Sequence, residues 1–271
     1  MIWFFSYDNP FINTERFYSL TFLEWIIPLT IVNMIILLLV IYRVKIKTIE
    51  SLDIILRYLI GSILILLFVS HFLLIWINDG INKNNLPLSF YSLSVIFTVI
   101  LMFTKSKRLF PLVLYTGVIG GMVNLLTNQV GYSYEYFRYY QFMISQGLLI
   151  IGPLYFIIIH EFRPSLISTL FVLLKMEVII IVIFVLNSLL NTDYLFLTWG
   201  ENQTYDNMIL ADLGAWPKYF IYLELIGIFL VAFLFILIHF SFNYYEKVKS
   251  KRIEKSGISK LSMYMTKKKR N

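Results

Sequence analysis

The chain has 271 residues, 59% of them hydrophobic and 14% charged, no cysteine, and a net charge of +7. A soluble domain carries roughly 25% charged residues, so a soluble enzyme is excluded. The missing thiols exclude disulfides, thiolate nucleophiles, zinc–thiolate sites and iron–sulfur clusters.

Several apolar runs reach about twenty residues, the length that crosses a hydrocarbon core, and predict an all-α polytopic membrane bundle. An outer N-terminal segment, 1–21, leads into seven spans at about 22–42, 54–77, 86–104, 109–127, 142–160, 166–190 and 219–240. Together 22–240 form one transmembrane domain with a long outer loop at 191–218, followed by a basic cytoplasmic tail, 241–271. The tail is expected to be helical near the membrane and frayed beyond it. No cleaved leader is expected, because Arg16 is the first positive charge and the first apolar run lies far in. The 19 Tyr and 24 Phe suit the two interfaces, where amphipathic rings sit at headgroup level.

Orientation follows from the basic residues. With the N-terminus outside, Arg43, Lys45, Lys47, Arg57, Lys105, Lys107, Arg108 and Arg163 all fall on the inner side, with ten more in the tail. The outer side holds only Arg16, Lys83, Arg138 and Lys218. Inner loops accumulate Lys and Arg, which puts the N-terminus outside and the C-terminus in the cytoplasm. The net positive charge then marks the cytoplasmic face and its anionic lipid. With no soluble module to present the basic residues, a nucleic-acid partner is not expected.

The polar residues within the spans gather in the outer half. Span 2 carries His71 near its outer end and span 3 opens with Ser89 and Ser92. Span 4 closes with Asn124, Thr127 and Asn128. Span 5 places Arg138, Gln141 and Ser145 on one helical face, with Gln146 beside it. Span 6 closes with Asn187. Asp212 and Trp216-Pro217 precede span 7, where an acid and a proline suit a helix start. An aromatic outer loop folded over these groups would complete a vestibule at the lipid–water boundary.

Each residue also has a plain structural role, since a lone Asn, Ser or Gln in a membrane helix usually bonds a neighbouring helix. Glu224 in span 7 costs a few kcal/mol in the apolar layer unless paired or neutral. It reads either as the partner of His71 or Arg138 or as a proton-handling carboxyl in an outward-facing cavity. Lys175 and Glu177 lie deeper in span 6, about 200° apart around the helix, and Lys175 is expected to snorkel toward the cytoplasm. His160 and His239 fall near the inner ends, too far from His71 for one metal cluster, and no metal or cofactor is expected. Gly120-Gly121, Gly147 and Gly152-Pro153 predict close helix packing and a bend.

Five stretches in order, "LPLSFYSLS" (86–94), "GVIGGMVNLLT" (117–127), "FRYYQFMISQGLLIIGPLY" (137–155), "NTDYLFL" (191–197) and "DLGAWPKYFIYLE" (212–224), carry a resemblance. Over roughly residues 55–240 the chain resembles the bacterial YwaF-like integral membrane family, distantly related to a vertebrate group of transmembrane acyltransferases. That family's first motif reads L-P-L-H-L-C, and its third has S-H-G. The resemblance implies a bacterial plasma membrane and, for the vertebrate relatives, movement of acyl chains between phospholipids by such a cysteine and histidine. This chain instead has Ser89, Tyr91 and Gln146 at those positions.

Thiol catalysis is therefore excluded. Acyl transfer would need Ser89 as nucleophile with His71 or Glu224 as base. The alternative is a noncatalytic protein that binds a phospholipid headgroup or other membrane subunits. Arg138 would pair the phosphate and Gln141 and Gln146 would offer neutral hydrogen bonds, with Asn124, Asn128, Asn187, Asp212 and Trp216 around them. Transport of a small solute is a third reading, without an inverted repeat to support it.

Overall fold

The computed structural model describes residues 3–5, 18–19, 21–126, 129–130, 133–197 and 218–268. Seven α-helices occupy the seven expected spans. They are α1 (Phe22–Thr48), α2 (Glu50–Asp79), α3 (Phe90–Thr104), α4 (Phe110–Leu126), α5 (Phe137–His160), α6 (Leu166–Leu190) and α7 (Lys218–Lys268). A short antiparallel pair, β1 (Tyr18–Ser19) and β2 (Gln129–Val130), matches Tyr18 with Val130 and Ser19 with Gln129. Residues 1–228 form one compact unit, and the second unit, from Phe229, continues α7.

Two boundaries differ from expectation for simple reasons. Residues 43–53 contain neither glycine nor proline, so α1 and α2 run on until only Ile49 separates them. The tail has no proline either, and its helix extends to Lys268 rather than fraying beyond the membrane. The Asn128, Asp212 and Trp216 positions, with most of the outer loop 191–218, lie outside the described residues.

Five of the helices are long and apolar enough to cross a membrane. The other two, α3 with 15 residues and α4 with 17, span only about 22–25 Å against a core of about 30 Å. Both pack inside the bundle, α3 against α2, α4 and α5, and α4 against α3, α5 and α6.

The contacts at each end agree with the alternation of spans. At the outer end, Glu24 accepts from the Thr21 N–H at 2.8 Å and from the Tyr134 N–H at 3.2 Å. Trp25 Nε1 donates to the Leu125 carbonyl at 2.6 Å. At the inner end Lys47 pairs with Glu161 at 2.9 Å, and the Lys107 ammonium lies 5.6 Å from the Phe162 ring centroid. Residues that the basic-loop pattern assigns to one side of the membrane meet at one end of the bundle.

Helix α5 is the axis. Its buried residues run from Tyr139 to Ile159 and cover several faces, whereas α1, α2 and α6 bury a narrow stripe and expose isoleucine, leucine and valine along the rest. In lipid that exposed surface is solvated by acyl chains. The closest approach is between α4 and α5. A Cβ added at Gly117 would lie 2.6 Å from the Leu149 carbonyl oxygen, and one at Gly121 would lie 3.0 Å from that of Gln146. The GxxxG spacing of Gly117 and Gly121 puts both on one face, which lets the two backbones touch. A Cβ added at Gly152 of α5 would instead meet side chains of α3, the Thr98 methyl at 2.9 Å and the Met102 methyl at 3.1 Å.

Gly117→Val should therefore force α4 from α5 and destabilise the fold by about 1–3 kcal/mol, the usual cost of overpacking. Gly227→Ala, where no atom lies within 4 Å of the added carbon, should leave stability unchanged or raise it. Thermal unfolding of the detergent-purified proteins measures both. Equal midpoints for Gly117→Val and the parent would refute this account of the packing.

Candidate functional site

The outer half of the bundle contains a polar layer set into apolar walls. From α5, Gln141, Ser145 and Gln146 are 2%, 0% and 1% exposed, so none faces lipid. Gln141 Nε2 donates to the Leu67 carbonyl at 2.8 Å and to Ser70 Oγ at 2.7 Å, both on α2. His71, also on α2, lies within reach of the Gln141 side chain and in the field of the Arg138 guanidinium. Its ring stands edge-on to Tyr91 of α3 with centroids 6.1 Å apart, and the Tyr91 hydroxyl reaches Ser145. Three helices thus contribute to one layer.

Why the side chains converge is a matter of register. Residues 141 and 145 share a face of α5, and the Ser145 hydroxyl returns its proton to the Gln141 carbonyl at 2.6 Å. Helix α3 runs parallel to α5, so Tyr91 opposite Ser145 and Thr98 opposite Gly152 keep the same offset. Ser94 then falls one turn below Tyr91, and it is buried as well.

Two groups in this layer stand out. Neither the nitrogen nor the oxygen of the Gln146 amide has a hydrogen-bond partner among the described residues, and the Ser94 hydroxyl has none either. An unsatisfied buried polar group costs about 1–3 kcal/mol. Leucine at 146 would fill the space without that cost. Native structures hold few fully buried polar atoms without partners.

The other expected residues are placed as follows. Ser89 is the N-cap of α3: its Oγ accepts from the Ser92 N–H at 3.2 Å and lies 2.8 Å from Ser92 Oγ. Asn124 sits half-buried on α4. Asn187 organises the turn after α6, donating to the Tyr194 carbonyl at 2.8 Å and accepting from Thr192 Oγ1 and the Tyr194 N–H. The Tyr194 hydroxyl in turn donates to the Lys83 carbonyl at 2.8 Å and accepts from the Leu86 N–H at 2.7 Å. Burial raises that phenol's pKa. The expected pairing of Glu224 with His71 or Arg138 is not found, because the carboxyl of Glu224 faces Glu177 of α6 instead.

A second polar cluster, missed in the sequence, closes the inner end. Asp53 Oδ1 accepts from the Tyr155 hydroxyl at 2.6 Å and lies 2.8 Å from His160 Nε2. Oδ2 takes Arg57 Nε at 3.2 Å and Lys105 Nζ at 3.6 Å. Arg57 Nη1 also donates to the Met102 carbonyl at 2.7 Å, at the end of α3. One carboxylate therefore ties α2, α3 and α5. Lys105, the C-cap of α3, adopts a left-handed backbone at φ 54 that few side chains favour, and it brings its ammonium to Asp53. The available signal was the Asp53–Arg57 spacing of four residues, which puts both on one face at the start of an apolar helix. Tyr155 and His160 lie more than a hundred residues away and carried no such hint.

Removing one member of a buried charged pair leaves the other unpaired, which costs about 3–5 kcal/mol. Asp53→Ala should therefore destabilise the protein far more than Lys47→Ala, whose pair with Glu161 is more than half exposed and is worth at most about 1 kcal/mol. Comparing their thermal midpoints in one detergent checks this. Similar losses for the two would mean that the Asp53 cluster is not a structural tie.

The TMEM164 family matches the chain over residues 17–245. No curated protein and no solved structure matches it.

Proposed function

The chain belongs to the TMEM164 family, and we propose that it is a noncatalytic member holding a phospholipid headgroup in the outer polar layer. The observation that carries this reading is Gln146, an amide 1% exposed with neither polar atom partnered among the described residues. In the same layer the Arg138 guanidinium at the mouth and the His71 ring are the groups that a phosphate would meet.

The absence of catalysis rests on what occupies the motif positions. Acyl transfer needs a nucleophile and a base that takes its proton. Ser89, the hydroxyl at the start of the first motif, is engaged with Ser92 as a helix cap. At 91 a tyrosine and at 146 an amide stand where the resembled family carries cysteine and histidine. Neither an amide nor a buried phenol replaces a thiolate–imidazole pair. The motifs shared with the YwaF-like group support a bacterial plasma membrane as the site of action.

Native mass spectrometry of gently purified protein tests this reading. The parent should retain phospholipid, and Gln146→Leu should retain roughly tenfold less or lower still, the equivalent of about 1.4 kcal/mol. Equal retention, or none in either, would contradict lipid binding here. The same preparation, given labelled phosphatidylcholine and a lysophospholipid acceptor in vesicles, should transfer no acyl chain. Transfer abolished by Ser89→Ala would restore the enzymatic reading.

A further inference from the structure

We propose that the headgroup held here ends in a polyol, a phosphodiester whose free hydroxyls bond Gln146 and Ser94. This rests on the headgroup reading of the same layer and specifies its ligand. The Ser94 hydroxyl supplies the second observation. Serine and threonine inside a helix commonly donate to the carbonyl one turn back. Thr98, Thr104, Thr116 and Ser145 all do so, at 2.6–2.9 Å. Ser94 is only 2% exposed, yet its hydroxyl makes neither that bond nor any other among the described residues.

Register and face bring Ser94 and Gln146 to one seam. On α3, a Cβ added at Gly120 of α4 would meet the Phe90 ring, and Tyr91 bonds Ser145 of α5. Ser94 follows about 40° from Phe90 and 60° from Tyr91 around the helix, between those two lines. On α5, Leu149 and Ile150 approach Gly117 and Gly121 of α4. Gln146 precedes them by three and four residues, so it shares their α4-facing side. The parallel run of α3 and α5 sets Ser94 level with Leu148, two residues or about 3 Å deeper than Gln146. Both groups thus turn to the place where α3, α4 and α5 pack together.

Hydrogen-bond capacity then selects the ligand. The Gln146 amide offers two donors and an acceptor, and the Ser94 hydroxyl one donor and an acceptor. An ionised phosphodiester only accepts, which leaves Gln146 Oε1 unmatched. A trimethylammonium neither donates nor accepts. A primary ammonium only donates, and Gln141, Ser145, Gln146, His71, Tyr91 and Ser94 bring no carboxylate to balance its buried charge. A hydroxyl does both, so neighbouring hydroxyls satisfy the amide and the serine together. Helical side chains lean toward the helix N-terminus, which carries the Gln146 amide outward, toward the level of Arg138 and His71. A phosphate at the mouth followed by hydroxyls below it fits that order.

Phosphatidylglycerol and phosphatidylethanol separate this chemistry from charge, since both carry one negative charge and only the first has headgroup hydroxyls. Each, with identical acyl chains, is titrated into the delipidated full-length protein, and binding is read by native mass spectrometry. Phosphatidylglycerol should bind about tenfold tighter or more, because the other lipid leaves buried polar groups unpaired. Ser94→Ala should cut that preference by about threefold or more and leave phosphatidylethanol binding unchanged, which also certifies folding. Gln146→Leu should erase the preference. Equal binding of the two lipids by the parent would overturn the polyol and leave headgroup binding standing, whereas binding of neither would defeat headgroup binding itself. A preference that survives either substitution would also overturn the assignment. The deacylated headgroup, glycerophosphoglycerol, at equal concentration should leave the lipid bound; displacement would make the ligand a soluble phosphodiester and overturn the lipid.

Discussion

The bilayer interior offers no hydrogen bonds, and the structure is organised by that constraint. Every polar group in a span must find a protein partner, a ligand, a neighbouring subunit or the interface. The backbone meets the demand by being helical, and the side chains meet it by withdrawal into the bundle. Along α5 the polar residues face α2, α3 and α4 rather than lipid. Small residues at Gly117, Gly121 and Gly152 make the helices close enough to keep acyl chains out.

The two ends of the bundle answer the constraint differently. At the inner end a buried carboxylate is surrounded by donors, and all of its acceptor capacity is used. Such a network contributes specificity of packing more than net stability, since an apolar replacement of similar shape often does as well. At the outer end the network is incomplete. Gln141 and Ser145 are satisfied, but Gln146 and Ser94 are not. A saturated cluster reads as architecture and an unsaturated one as a place for something else.

The fold was legible because membrane helices declare themselves through length, hydropathy and the distribution of Lys and Arg. The order of spans followed from that alone; of the polar residues expected to meet at the outer ends, those of α2, α3 and α5 come together, while Asn187 orders its own turn and Glu224 faces Glu177. The shortness of α3 and α4 did not follow, because an apolar run says nothing about which helices will be shielded by others. The outer layer was partly legible: spacing placed Gln141 and Ser145 on one face, but only coordinates show that Gln146 lacks a partner while Ser89 is a cap. Of the Asp53 cluster only the four-residue spacing of Asp53 and Arg57 was legible, since its charges sit where a span meets a loop and look like ordinary flanking residues. Glu224 was matched to the wrong partner for a related reason. Depth from helix ends gives height in the membrane but not the side of the bundle a residue faces.

The account depends most on the idea that Gln146 is held unsatisfied for a ligand. The direct measurement is the thermal midpoint of the parent and of Gln146→Leu, each delipidated and then titrated with phospholipid. If the idea holds, leucine raises the midpoint of the lipid-free protein and reduces the upward shift that lipid confers on the parent. A Gln146→Leu protein that is less stable without lipid, or that gains as much from lipid as the parent does, would show the amide to be ordinary packing.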